Sequence, residues 1–563
     1  MSRRLLALLP LAAGLLLTAC ATRHTEAPRL VAPDGRLQQT HYQGELKSED
    51  GTLIRYTVFQ PALAPGETAP LLLQTHPFGF WRMSGPRSPI GHILTSGDVV
   101  RQAWKDGYWV ISFDQRGHGD SGDVMHIADP EKEGRDVSRL IDWAMQNLAI
   151  TAVDGDPKIG MIGESYGAGI QLVASTLDPR IDALVPIGGW YDLERVLAPN
   201  DVPKSGWLTL LVLAGNTLAD YDNRLNGAYW RARDGHIDQW VRDEFADHDV
   251  SWFCERGQAP HADALILQGF RDVLFPVNEG LDVRACLQQA GRDVRFIGIE
   301  DGHLLPLSQH TPGWMVGWNV EKTLDCDGRK QKTEDVIRDW FEAKLRGRSE
   351  RLANVPDFCL TGDPQVDAAG APPARQTFAL ARAHVGSGAS GLVEWAARPL
   401  DHVKNWFVPA DGNDWQQPRN GWLRPALIPL QRAETAQWVA GVPRAKLVID
   451  RSDRDAPVLF LQVAAWRPGS GSYRILSQQV TPVRGTGTIE TDLAAVRGKL
   501  EKGEVVGLLV RGYQSQYRFS GSGWGTDASI GGSVELPLAQ ATTDRDGKPA
   551  VASDARDGNP GTL

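Results

Sequence analysis

A basic excess is what this sequence most plainly lacks: 59 Lys and Arg stand against 69 Asp and Glu, leaving −10 at neutral pH. Binding to nucleic acid draws on Lys and Arg that displace counterions from phosphates, so nucleic acid is not an expected partner. Cysteine is scarce, with five in 563 residues, and none forms a CxxC pair or stands with histidine at metal-ligand spacing. No metal or other cofactor is expected. The one apolar run near bilayer length sits at the N-terminus, so a polytopic membrane protein is not expected. What the chain does hold is an ordinary globular balance, 42% hydrophobic and 23% charged, with 59 Gly, 35 Pro and 19 Trp. Those counts point to many turns, β structure and large aromatic contacts. At about 150 residues per domain the length predicts two to four domains.

Arg3 and Arg4 precede an apolar stretch at 5–17 that is too short and too interrupted by Pro and Gly to span a bilayer. It reads as an export signal over 1–19. The run Leu17-Thr18-Ala19-Cys20 resembles a bacterial lipobox, which implies diacylation of Cys20 as the first mature residue. Ala21 after the cysteine implies the outer membrane, facing the periplasm. Cleavage removes two arginines and leaves no polybasic patch, so the lipid is the one expected membrane contact. An exported chain keeps disulfides, and the remaining four cysteines allow three pairings, of which the sequential one, Cys254 with Cys286 and Cys326 with Cys359, is favoured.

After a polar tether at 20–39, short apolar β-type runs recur at 53–59, 71–75, 108–113, 159–162, 184–187, 264–268 and 294–299. Nearly continuous apolarity suits strands buried on both faces of a parallel sheet. Helical patterns lie between them. The clearest is 136–147, with Val137, Leu140, Ile141, Ala144 and Met145 on one stripe. The alternation predicts an α/β domain over 40–189 and 254–350. Strand signals stop at 190–253, where a charged, aromatic-rich helical stretch reads either as a cap over the sheet or as packed helices with core aromatics. From 364 to 540 alternating runs at 445–449, 458–463, 473–480 and 505–510 predict an all-β domain of sandwich or jelly-roll type, followed by a loose polar tail at 541–563.

The run at 158–162 enters Gly163-Glu164-Ser165-Tyr166-Gly167 and then a helical pattern. A serine at a sharp strand-to-helix turn has its hydroxyl exposed, and flanking glycines are needed where side chains would strike the neighbouring elements. G-x-S-x-G is a weak signal as a string, and its strand-to-helix context supplies the specificity. A serine hydroxyl attacks only when a base takes its proton, and the chain order serine, acid, histidine points to Asp272 and His303, each just beyond a predicted strand. Asp301, two residues from His303, is the rival acid; His118 and His310 are rival bases. Asp114 and Arg116 read as an ion-paired turn. The oxyanion needs fixed donors: the N–H of Tyr166, and, from the loop after 71–74, the N–H of Phe78 in preference to Gly79. Pro77 has none.

Together these residues resemble the cocaine-esterase-like and X-prolyl dipeptidyl-peptidase-like serine hydrolases. The pieces that match are Phe113-Asp114-Gln115-Arg116-Gly117-His118-Gly119-Asp120-Ser121-Gly122, the Gly163 to Gly167 turn, Gly269-Phe270-Arg271-Asp272-Val273-Leu274-Phe275-Pro276, and His303 after Gly302. The resemblance spans about 45–540 and implies an α/β-hydrolase domain with a helical cap and a C-terminal jelly roll. In the esterase branch a tyrosine hydroxyl from the early loop serves the oxyanion, whereas Phe78 stands there in this chain. Either backbone amides do the whole task or the loop aligns differently, and cocaine-ester specificity does not carry over.

The expected function is cleavage of an ester or amide of a small molecule or short peptide, with Ser165 as nucleophile, His303 as base and Asp272 orienting it. Two alternatives stand beside it. One is dipeptidyl-peptidase activity after proline, which needs a carboxylate for a free α-amine. The other is a non-catalytic binding lipoprotein on a hydrolase scaffold. Oligomeric state is not legible.

Overall fold

The computed structural model describes residues 30–233, 237–303, 323–326, 328–360, 370–386, 415–416, 426–452, 457–470, 472–512, 514–517 and 527–541. The expected signal segment, Cys20, His310 and tail residues 542–563 lie outside them.

A nine-stranded sheet runs in the order β1-β2-β4-β3-β5-β6-β7-β8-β9. Its strands are β1 (Thr40–Lys47), β2 (Leu53–Gln60), β3 (Leu71–Gln74), β4 (Trp109–Phe113), β5 (Ile159–Glu164), β6 (Ala183–Ile187), β7 (Asp263–Arg271), β8 (Val294–Gly302) and β9 (Phe358–Cys359). From β3 through β6 every residue is buried, which explains the unbroken apolar runs. Side chains along a strand point alternately to the two faces, so Leu71, Leu73, Trp109 and Ile111 enter one core while Leu72 and Val110 enter the other. Helices α1 (Thr95–Lys105), α2 (Arg135–Asn147) and α3 (Tyr166–Leu177) succeed one another along the chain, with α2 and α3 on the first face and α1 on the second.

Several expectations need correction. The sheet is mixed, because β1 and β2 form an antiparallel hairpin and β2 is antiparallel to β4. It extends past residue 350, since β9 pairs in parallel with β8. The expected tether is already folded from Leu30: Leu37 and Leu63 exchange backbone hydrogen bonds, and Gln60 donates to the carbonyls of Leu30 and Gln38. Met145 stands 38% exposed beside the buried Val137, Leu140, Ile141 and Ala144, having rotated off the α2 stripe. Asp114 and Arg116 do not pair with each other. Arg82 pairs with Asp114, whereas Arg116 is surrounded by Asp136, Asp50 and Asp123; a buried guanidinium needs more than one carboxylate to satisfy its five donors.

Between β6 and β7 stand α4 (Leu193–Leu197), α5 (Ser205–Leu218), α6 (Arg224–Arg233), α7 (Gln239–Glu244) and α8 (Val250–Glu255). α9 (Val277–Gln289) follows β7 and α10 (Thr333–Arg346) precedes β9. Disulfides Cys254–Cys286 and Cys326–Cys359 have the sequential pairing, with Cα atoms 6.1 and 5.6 Å apart. The first ties α8 to α9.

The C-terminal region is a β sandwich. One sheet holds β10 (Arg375–Gly386), β12 (Gln437–Gly441), β13 (Arg444–Ser452), β17 (Gly487–Asp492), β18 (Val496–Leu500) and β20 (Asp527–Gln540); the other holds β11 (Ala426–Arg432), β14 (Val458–Trp466), β15 (Tyr473–Ile475), β16 (Thr481–Arg484) and β19 (Val505–Arg511), with Trp415–Gln416 at its edge. Leu447 and Val534 from the first and Leu461 and Leu508 from the second share one core. The run at 473–480 is not one strand: after β15 the backbone makes a tight turn, with φ of 53° at Ser477 and 56° at Gln478. The chain thus has an α/β-hydrolase fold followed by a β-rich domain, and Ala440 and Ala495 of that domain join the first core.

Candidate active site

β5 delivers Ser165 to the N-terminus of α3 with φ 53° and ψ −115°. Positive φ strains a non-glycine residue, and the close approach of neighbours maintains it. A Cβ on Gly163 would lie 2.0 Å from Thr75 Oγ1, and one on Gly167 would lie 2.6 Å from the same atom, which donates to the Gly167 carbonyl at 2.9 Å. One turn on, a Cβ at Gly169 would lie 2.0 Å from Trp190 Cη2. Gly169→Ala is therefore expected to cost about 1–3 kcal/mol by overpacking, read as a lower thermal midpoint. A midpoint equal to that of the parent would contradict the packing of Trp190 against this turn.

The carboxyl ends of β7 and β8 bring the other two residues to Ser165. Ser165 Oγ lies 2.9 Å from His303 Nε2, and His303 Nδ1 lies 2.8 Å from Asp272 Oδ2. The second carboxylate oxygen, Oδ1, accepts from the N–H groups of Leu274 at 3.0 Å and Phe275 at 2.7 Å. The imidazole side chain is 9% exposed and the carboxylate 2%, so both are largely screened from water. Phe275 and Trp207, the latter on α5, pack edge-to-face on the ring with centroids at 4.7 and 5.8 Å. Asp272, not Asp301, meets Nδ1. His118 sits elsewhere, against Tyr166 and Phe78, with Nδ1 on the Arg116 carbonyl. Burial pushes its pKa down to about 3.

Among the described residues the N–H groups of Tyr166 and Phe78 have no acceptor. Phe78 packs edge-to-face on Tyr166. The Tyr166 hydroxyl donates to Glu133 Oε1 at 3.1 Å and accepts from the N–H of Ala128. Burial pushes the Glu133 carboxyl up to about 8. The residue after Ser165 is thus fixed at both its backbone and its ring.

Above Ser165 lies a cavity of about 430 Å³, lined by Phe78, Met125, Ile127 and Trp190 below and by Leu208, Leu211, Val212 and Tyr229 from α5 and α6 above. Four acids reach its wall, and each is engaged. Glu194 pairs with Arg242 and Asp238 with Arg231. Asp192 caps α4 by accepting from the N–H of Arg195, and Asp249 accepts from the N–H groups of Leu193 and Trp252.

Sequence reasoning missed Glu133, Lys204 and Gln479. Lys204 Nζ is buried and donates to the carbonyls of Val273 and Leu274, both at 2.8 Å. Burial pulls its pKa down to about 8, against the opposing charges of Asp272 and Glu279. No local signal marks such residues; a lone buried lysine is conspicuous only once its burial is known.

Residues 50–298 match the family described as X-Pro dipeptidyl-peptidase (S15 family). A CocE/NonD family hydrolase from Staphylococcus aureus is 12% identical, with 93% of this chain and 100% of that one covered at a TM-score of 0.60. An aminopeptidase from a marine sediment archaeon, Thaumarchaeota archaeon, is 13% identical over 92% and 99% at 0.58, and an α-amino acid ester hydrolase is 14% identical over 93% and 100% at 0.58. Likenesses of this degree speak for the fold. No curated protein sequence matches the chain. The family match covers the sheet that carries Ser165, and the fold is shared with these hydrolases; both are in keeping with a serine hydrolase.

Proposed function

We propose that this enzyme cleaves esters of apolar carboxylic acids through an acyl-enzyme on Ser165. The observation that carries the reading is the continuous chain of contacts from Ser165 Oγ through His303 to Asp272, opening on an apolar cavity. His303 Nε2 takes the proton as Oγ attacks the carbonyl carbon, and Asp272 keeps the Nδ1–H pointed at itself and stabilises the imidazolium. The N–H groups of Tyr166 and Phe78 receive the oxyanion. His303 then protonates the departing alkoxide, and a water activated by the same imidazole releases the acid.

The acids of the cavity wall support the ester reading over the dipeptide one. A free α-amine needs a carboxylate available to it, whereas Asp192, Glu194, Asp238 and Asp249 are engaged as caps or in ion pairs. With p-nitrophenyl esters of graded length, kcat/KM is expected to rise about fourfold per methylene, from roughly 0.8 kcal/mol per buried CH₂, until the cavity is filled. Gly-Pro p-nitroanilide is expected to be cleaved at least about a hundredfold more slowly than the best ester, the single-site loss set by an unmet amine. Faster cleavage of the anilide than of every ester would contradict the assignment and favour the dipeptidyl-peptidase reading.

Two disulfides support an oxidising compartment, in keeping with export and attachment through Cys20 to the outer membrane. Among the described residues no helix is long and apolar enough to cross a membrane. The proposed division is a catalytic domain interrupted by a cap at 190–253 and followed by the β domain. A non-catalytic scaffold would leave Ser165 unreactive towards a fluorophosphonate.

A further inference from the structure

The loop that carries Asp272 turns several backbone carbonyls away from the sheet, and groups from outside the sheet satisfy them. Gln479 Nε2 of the β domain donates to the carbonyl of Phe270 at 2.7 Å and to that of Asp272 itself at 2.9 Å. Gln479 is 4% exposed. Its own placement is over-determined: the tight turn at Ser477 and Gln478 breaks the strand just before it, Gln462 donates to its carbonyl, and Ser477 Oγ accepts from the N–H of Arg497 at 2.8 Å. Non-glycine residues with positive φ persist where surrounding contacts require that geometry. Arg497, on the neighbouring strand β18, reaches Glu300 Oε1 at 2.6 Å, and Glu300 also pairs with Arg271 at 3.2 Å. One patch of the β domain therefore grips the end of β7, one residue from Asp272, and the end of β8, three residues from His303.

The geometry points to Gln479 as a positioning residue for the acid–base pair, so that the β domain completes the catalytic machinery instead of merely flanking it. This rests on the proposed roles of Ser165, His303 and Asp272. The amide bridges the carbonyls of Phe270 and Asp272, two residues apart, and so fixes the direction in which the Asp272 side chain leaves the backbone. Displacements of about 1 Å in a reacting group can cost on the order of a hundredfold in rate.

The test compares parent, Gln479→Met and Gln479→Glu proteins, full length, on one p-nitrophenyl ester. Methionine keeps the volume and loses both donors. It is expected to lower kcat about 10- to 100-fold while KM stays within about threefold. Glutamate is isosteric and donates only when protonated, so its kcat relative to the parent is expected to fall as pH rises, whereas the methionine ratio stays flat. A folded Gln479→Met enzyme with kcat within twofold of the parent overturns the inference. If methionine gives no soluble protein, the glutamate ratio decides, and a ratio independent of pH overturns it. Fluorophosphonate labelling of the parent separates the two levels: an unlabelled parent sinks the proposed function, whereas a labelled, active parent with an indifferent Gln479 sinks the positioning role alone.

Discussion

Replacing Ser165 by alanine is expected to lower kcat/KM for the best p-nitrophenyl ester by about 10⁴- to 10⁶-fold, the loss typical of removing the nucleophile from such a constellation. Among the described residues the hydroxyl is the one nucleophile hydrogen-bonded to His303 Nε2, at 2.9 Å. Alanine keeps the Cβ, and the φ of 53° is imposed by packing around Gly163, Gly167 and Thr75, not by the hydroxyl. The variant should thus melt within a degree or two of the parent. Residual turnover above the water rate is expected from the oxyanion donors. A variant retaining more than about a hundredth of parental kcat/KM would show that another group attacks.

Asp272→Asn is expected to lower kcat by about 10³- to 10⁴-fold with little change in KM. The cause lies in how this carboxylate is held. Oδ1 already accepts from the N–H groups of Leu274 and Phe275, so in the variant the amide oxygen stays with those donors and the NH₂ group turns towards His303 Nδ1. The imidazole must then accept at Nδ1 and carry its proton on Nε2, which faces Ser165 with a donor where a base is needed. Steady-state kinetics beside a thermal melt checks this. A folded variant with kcat within tenfold of the parent would mean that Asp272 does not set the tautomer.

Much of the site could be read from the sequence because its signals are local. The turn around Ser165 announces itself by glycines that Thr75 and Trp190 make obligatory, and Asp272 and His303 each follow a buried apolar strand. Of the three cysteine pairings that the sequence allows, the favoured sequential one is the pairing found. What could not be read depends on distance in the chain. Gln479 lies in a run whose alternation imitates a strand, and the broken backbone at Ser477 and Gln478 leaves no glycine to mark it. Lys204 resembles any surface lysine until it is found on the carbonyls of Val273 and Leu274. Asp114 and Arg116 read locally as an ion-paired turn, but Arg116 takes its partners Asp136 and Asp50 from across the fold. The hairpin of β1 and β2 escaped because β1 sits at the sheet edge, where its half-buried pattern carries little apolar signal.

Peptide mapping after reaction with a fluorophosphonate measures the central claim most directly. One phosphonyl adduct per chain is expected, on the peptide that holds Ser165, and absent from Ser165→Ala protein. An adduct confined to a different residue, or none in folded parent enzyme, would contradict the account.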